Sequence, residues 1–116
     1  MATRAASLLA FAVSLAASGF VLSANARTIT TFDVPGSILT QPSSINSGGV
    51  ITGVYLDPSN LSHGFLRSAT GAITTFEAPG AGTGQSQGTA PQSINKYGVI
   101  TGWYTDSSGA GHGFVR

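Results

Sequence analysis

The chain contains no cysteine. That excludes a disulfide framework and thiolate chemistry, so a small domain of this sequence must hold together by packing alone. Charge is nearly as scarce, with Lys and Arg numbering 5 and Asp and Glu 4 among 116 residues. Beyond residue 26, Arg27, Arg67, Lys96 and Arg116 balance Asp33, Asp57, Glu77 and Asp106. No basic patch exists to neutralise phosphates, and nucleic acid is not an expected partner. Close metal-ligand spacings such as H-x-x-x-H are missing, and the Asp57 and Asp106 segments lack the D-x-[DN]-x-[DN]-G calcium loop. No metal and no cofactor is expected. After the first 26 residues no segment has the 3.6-residue periodicity of an amphipathic helix.

Long apolar runs are confined to the N-terminus. Met1-Ala2-Thr3-Arg4 gives a positive start, Ala5 to Leu22 carries no charge, and Ser23-Ala24-Asn25-Ala26 places small residues where a signal peptidase cuts. Residues 1–26 therefore read as a helical export signal. Cleavage after Ala26 is expected to leave 27–116 secreted or periplasmic, with no membrane attachment. The competing reading is an uncleaved anchor, since the run approaches the length of a bilayer span. Ser14, Ser18 and Gly19 dilute it, and the Ala-x-Ala favours release.

What remains is a repeat. Thr40 to Arg67 (TQPSSINSGGVITGVYLDPSNLSHGFLR) and Thr89 to Arg116 (TAPQSINKYGVITGWYTDSSGAGHGFVR) are identical at 17 of 28 ungapped positions, at a constant offset of 49. A further element recurs at an offset of 44: ITTFDVPG from Ile29 to Gly36 and ITTFEAPG from Ile73 to Gly80. The second copy thus carries five extra residues between Gly80 and Thr89. Tandem self-similarity of this kind marks a repeat architecture.

Each copy has the chemistry of strands and tight turns. Val50 to Leu56 and Val99 to Thr105 are rich in β-branched and aromatic residues and are bounded by turn formers. Asn46 to Gly49 and Asn95 to Gly98 have the composition of hairpin loops, and Asp57 to Asn60 and Asp106 to Gly109 that of second turns. The fold class is all-β, in two tandem antiparallel units of four short strands resembling propeller blades in sequence. The strands are Ser-Ile-Asn, Gly-Val-Ile-Thr-Gly-x-Tyr, His-Gly-Phe-x-Arg and Ile-Thr-Thr-Phe. One copy spans about 40–80; the other, 89–116, is expected to be completed by 28–36, with the Ile29–Val34 strand pairing with His112–Arg116. Two blades cannot make a ring, since propellers use about four to eight. The alternatives are assembly of several chains into a homo-oligomer, a compact two-unit sandwich or barrel, or a longer parent chain.

The patterns ITTFDxPG, SINxxGxIxGxYxD and HGFxR together resemble the bacterial HAF-type probable extracellular repeats, and the resemblance covers Ile29 to Arg116. It implies export from a bacterium and a propeller-like β-repeat fold, and it implies no activity. Two features depart from the family pattern. Its His-Ala-Phe tripeptide is His-Gly-Phe at both sites, and members usually carry more than two copies.

Candidate chemistry is sparse. Gly84-Gln85-Ser86-Gln87-Gly88 matches the G-x-S-x-G nucleophile elbow, and Asp106 and His112 follow in hydrolase order. An elbow needs a sharp strand-to-helix turn on a parallel sheet, and this segment is a Gly/Ser/Gln-rich insertion without a following helix. A hydrolase using Ser86, Asp106 and His112 is therefore the minor alternative, and no catalytic residue is assigned. His63 and His112 hold equivalent places; each reads either as a ligand or as a strand-initiating residue bonded to a neighbouring turn. Trp103, Tyr55, Tyr104 and Tyr97 are the aromatic surface candidates. Trp103 lies on the strand face that varies between copies, where it suits stacking on a sugar ring or packing between units. The reading overall is an exported module with a binding or scaffolding role, taking a carbohydrate or cell-envelope ligand through Trp103, Tyr104, Tyr55, His63 and His112.

Overall fold

The structure, a computed structural model, describes residues 27–116. The expected export signal, 1–26, lies outside the described residues. Residues 27–34 form no strand, and Ile29 is 89% exposed. Seven strands follow: β1 Leu39–Ile45, β2 Ile51–Leu56, β3 Ser62–Arg67, β4 Ile73–Phe76, β5 Gly88–Ile94, β6 Ile100–Thr105 and β7 Gly111–Val115. No helix forms among the described residues.

The strands make two antiparallel meanders, β1-β2-β3-β4 and β5-β6-β7. A single parallel bridge, Ser62 to Gly88, joins them, so the order runs β1-β2-β3-β5-β6-β7 with β4 also on β3. The result is one curled half-barrel sheet. The expected pairing of Ile29–Val34 with His112–Arg116 does not form. β7 pairs only with β6 among the described residues, and Phe32 instead meets the Phe65 ring edge-on at 5.9 Å. That contact, with the Arg67 guanidinium 5.0 Å from the Phe32 ring centroid, ties the end of the segment to β3 rather than to β7.

The duplication in sequence is a duplication in bonding. Asn46 Oδ1 accepts the N–H groups of Gly48 and Val50, as Asn95 Oδ1 accepts those of Tyr97 and Val99. These Asx turns close the β1-β2 and β5-β6 hairpins, each ending on a glycine at positive φ (Gly49 at 81°, Gly98 at 84°). Thr52 Oγ1 donates to the Phe65 carbonyl and Thr101 Oγ1 to that of Phe114, both at 3.0 Å. Each first strand is bulged after its proline, between Pro42 and Ser44 and between Pro91 and Ser93. The facing residue is glycine for a steric reason: a Cβ on Gly53 would lie 2.2 Å from the Gln41 carbonyl oxygen, and one on Gly102 2.3 Å from that of Ala90.

Burial breaks this equivalence. The core comprises Phe65, Thr52 and Val34 from the first copy with Thr89, Pro91, Ile94 and Ile100 from the second, and Ala78 between them. Ile94 is 6% exposed but its counterpart Ile45 is 63%. The hydrophobic centre therefore sits between the copies. Ile94 N–H donates to Ser44 Oγ across this seam, and Asn46 Nδ2 to the Asn95 carbonyl.

Candidate functional site

The alternation of a strand sends neighbouring residues to opposite faces, and this splits the candidate residues into two groups. Val54 and Leu56 on β2, Ala90 and Gln92 on β5, and Trp103 and Thr105 on β6 share one face with Gln41 and Leu39 of β1. Together with Ser62, Gly88, Ser86 and Gln87 they line a cleft of about 470 Å³, within the range of small-molecule sites. Leu39, Val54, Leu56 and Ala90 supply its apolar surface. Trp103 stands 51% exposed, and Gln41 and Gln92 are exposed beside it. An indole face with amides around it can stack on an apolar ring face and bond surrounding hydroxyls.

Tyr55, His63, Tyr104 and His112 occupy the other face. Tyr55 stacks on His63 and Tyr104 on His112, each with centroids 4.9 Å apart. Each imidazole Nε2 meets an aspartate at 2.8 Å, Asp57 Oδ2 for His63 and Asp106 Oδ2 for His112. The other oxygen of each aspartate closes a turn, accepting from Ser59 and Leu61 N–H in one copy and Ser108 and Ala110 N–H in the other. Sequence position thus placed Trp103 beside Tyr104, while strand geometry sends the two to opposite faces.

The first histidine has one more partner. His63 Nδ1 bonds Glu77 Oε2, whose other oxygen accepts from Thr89 Oγ1 at 3.1 Å. Thr89 in turn accepts the Ala78 N–H. Burial opposes charge on His63, but the hydrogen bonds to Asp57 and Glu77 outweigh it and raise its pKa above 6.5. The His63 bond foremost, then the Leu61 and Ser59 N–H groups, lower Asp57. Ser108 and His112 hold Asp106 well below the usual carboxylate range. Burial raises the Tyr55 hydroxyl, against a hydrogen bond to Thr75 and with help from Glu77 and Asp57. These networks lock strand ends to turns. No group of three or more His, Cys, Asp or Glu is arranged to hold a metal ion among the described residues.

Ser86 is not assembled with Asp106 and His112. It sits at φ 68° in a turn closed by Gln87 N–H on the Gly84 carbonyl, and no strand-to-helix elbow is present. His112 is bonded to Asp106 and stacked on Tyr104, and no hydrogen bond joins it to Ser86. Gln87 is held by its neighbours, its Oε1 accepting Gly84 N–H and its Nε2 donating to the Ser107 carbonyl. Gln41 and Gln92 are the cleft residues that sequence reasoning missed. Their signal was strand register: Gln41 pairs with Val54, the position equivalent to Trp103, and Gln92 lies two residues beyond Ala90, the partner of Trp103. Comparison with protein-family profiles, curated proteins and solved structures gave no match to this chain.

Proposed function

We propose that the chain is an exported, non-catalytic β-repeat module that binds a carbohydrate of the cell envelope or its surroundings in the Trp103 cleft. The observation that carries this reading is a solvent-facing tryptophan flanked by the exposed amides of Gln41 and Gln92 over an apolar floor. A tryptophan half-exposed at a cleft of this size presents a stacking surface that a ligand ring can cover. The ligand is uncharged or weakly charged, because no Lys, Arg, Asp or Glu lines the cleft. The resemblance to HAF-type extracellular repeats supports export and a propeller-like arrangement of the two copies.

Trp103 is the chain's one tryptophan, so its fluorescence reports the cleft directly. Titration with a panel of neutral glycans and cell-wall fragments is expected to shift that emission with saturation. Trp103→Ala should abolish retention on the matching glycan resin, and Gln92→Ala should weaken it roughly fivefold to tenfold, as loss of one ligand hydrogen bond does. Unchanged retention by Trp103→Ala would overturn the reading.

A further inference from the structure

Equivalent residues of the two copies differ in exposure in a regular way. On the leading side, Pro91 and Ile94 are buried by the first copy, while Pro42 and Ile45 stand exposed. On the trailing side, β4 covers the outer edge of β3, so Gly64 is buried and His63 has Glu77 beside it. The outer edge of β7 has no such cover among the described residues: Gly113 is exposed, Val115 is 76% exposed and His112 Nδ1 has no partner. Among the described residues there is thus one finished junction, and the β1 and β7 ends of the sheet expose its two kinds of surface.

We propose that the outer edge of β7 takes Ile29–Phe32 of a second copy of this chain as an added antiparallel strand. The same chain already displays the pairing. Ile73–Phe76, which forms β4, is identical to Ile29–Phe32, and its acceptor HGFLR differs from HGFVR on β7 at one position. Carrying the β3-β4 register over by the repeat offsets pairs Gly113 with Phe32, Phe114 with Thr31, Val115 with Thr30 and Arg116 with Ile29. Backbone hydrogen bonds of this kind are the basis of strand addition to an open sheet edge.

Three details of the geometry agree with that register. A Cβ on Gly64 would lie 2.8 Å from the Phe76 ring, whereas one on Gly113 would meet nothing nearer than the Gly102 carbonyl oxygen at 3.9 Å. The space that Phe76 fills over β3 is open over β7 and matches the Phe32 ring. Asp33 stands where Glu77 stands, one residue after the phenylalanine, so its carboxylate, one methylene shorter, would face the unpartnered His112 Nδ1 from the side on which Glu77 meets His63. Phe32 is compatible with both roles, since Phe76 pairs in β4 while also meeting Phe114 edge-on at 6.3 Å, as Phe32 meets Phe65.

The copy is confined to this strand. Leu39 replaces Gly88, whose Cβ would lie 2.0 Å from the Ser62 carbonyl oxygen, so the parallel bridge that joins the two meanders is not reproduced between chains. The contact is heterologous, joining different surfaces of the two copies, and therefore leads to a closed ring or to a growing filament.

The absence of cysteine makes the test direct. Thr30→Cys and Val115→Cys each place one thiol in the chain, and the two purified variants are mixed in a glutathione redox buffer. With equal amounts mixed, the mixed disulfide dimer should exceed the two like dimers combined, which is the limit that random pairing gives, and light scattering of the unsubstituted chain should show a mass that rises with concentration. Gly113→Val should abolish association with no change in circular dichroism, because its side chain enters open space in the single chain but occupies the seat of Phe32. A chain that stays monomeric at every concentration, a mixed dimer no more abundant than the two like dimers combined, or a folded Gly113→Val that associates normally would each overturn the proposal. If Gly113→Val fails to fold, the cysteine mixture decides by itself.

Discussion

Asp57 shows how much one side chain settles in this fold. Its Oδ1 closes a turn by accepting Ser59 and Leu61 N–H, and its Oδ2 fixes the His63 ring that stacks on Tyr55. Two pH effects follow, of opposite sign. The folded chain raises His63 above its ordinary 6.5, so the stabilisation from the charged ring is complete below that value and is lost as pH rises through the raised one. The folded chain depresses Asp57 and Asp106, so their contribution is present above the ordinary 3.8 and is lost as pH falls through the lowered values. Thermal midpoints followed by circular dichroism should therefore be highest between these limits and decline on both sides. His63→Gln should remove the decline that begins above pH 6.5 and leave the separate one that the raised Tyr55 hydroxyl gives above pH 10.0; a first alkaline limb unchanged in that variant would contradict the assignment. The bond between His63 and the Asp57 turn was legible because the two lie six residues apart on one hairpin. Glu77 was not, because only the β3-β4 pairing brings it to the ring.

The β1-β2-β3 ladder is repeated in β5-β6-β7, while the β1-β2 and β5-β6 loops differ in one bond. Asn46 and Asn95 close their hairpins through the same pair of N–H bonds, but Asn46 alone of the two also donates across the seam, at 3.1 Å to the Asn95 carbonyl. Asn95→Ala should cost about 1 kcal/mol, the usual worth of such turn bonds, and Asn46→Ala about 2 kcal/mol because the seam bond goes with them. Urea unfolding of the two variants measures the difference, and equal losses would show that the cross-seam bond contributes nothing. Alternation of β-branched and aromatic residues made β2, β3, β6 and β7 readable from sequence. β1 and β5 run longer than the Ser-Ile-Asn motif suggested, since each carries a proline, which argues against a strand interior until the following bulge is seen. Ile29–Thr31 carries the same letters as Ile73–Thr75, yet only the second segment is a strand in this chain. Its sequence is local, whereas the edge it needs is supplied from elsewhere in the fold.

At the scale of the whole molecule, two copies with the same strand pattern have ceased to be equivalent because each has a different neighbour. Phe65 and Phe114 occupy the same place in the repeat, follow the same His-Gly, and receive the same threonine bond on their carbonyls. Phe65 is fully buried among core residues of both copies, whereas Phe114 is half-buried, with Phe76 meeting its ring edge-on. No pattern within the repeat separates the two, and so the position of the core was not readable from one copy. Removing a fully buried phenylalanine costs roughly 3–5 kcal/mol through lost transfer energy and the cavity left behind. For a domain of this size total stability is itself only about 5–15 kcal/mol, so Phe65→Ala should leave the chain barely folded. Phe114→Ala removes a ring that is already partly in water and should cost about half as much, in proportion to the apolar area it hides. Measured on dilute protein, the two midpoints should differ by about 10 °C or more, given the steep dependence of midpoint on stability in small domains. Equal losses would place a separate core in each copy, and the seam between them would then be a contact between two domains rather than the centre of one.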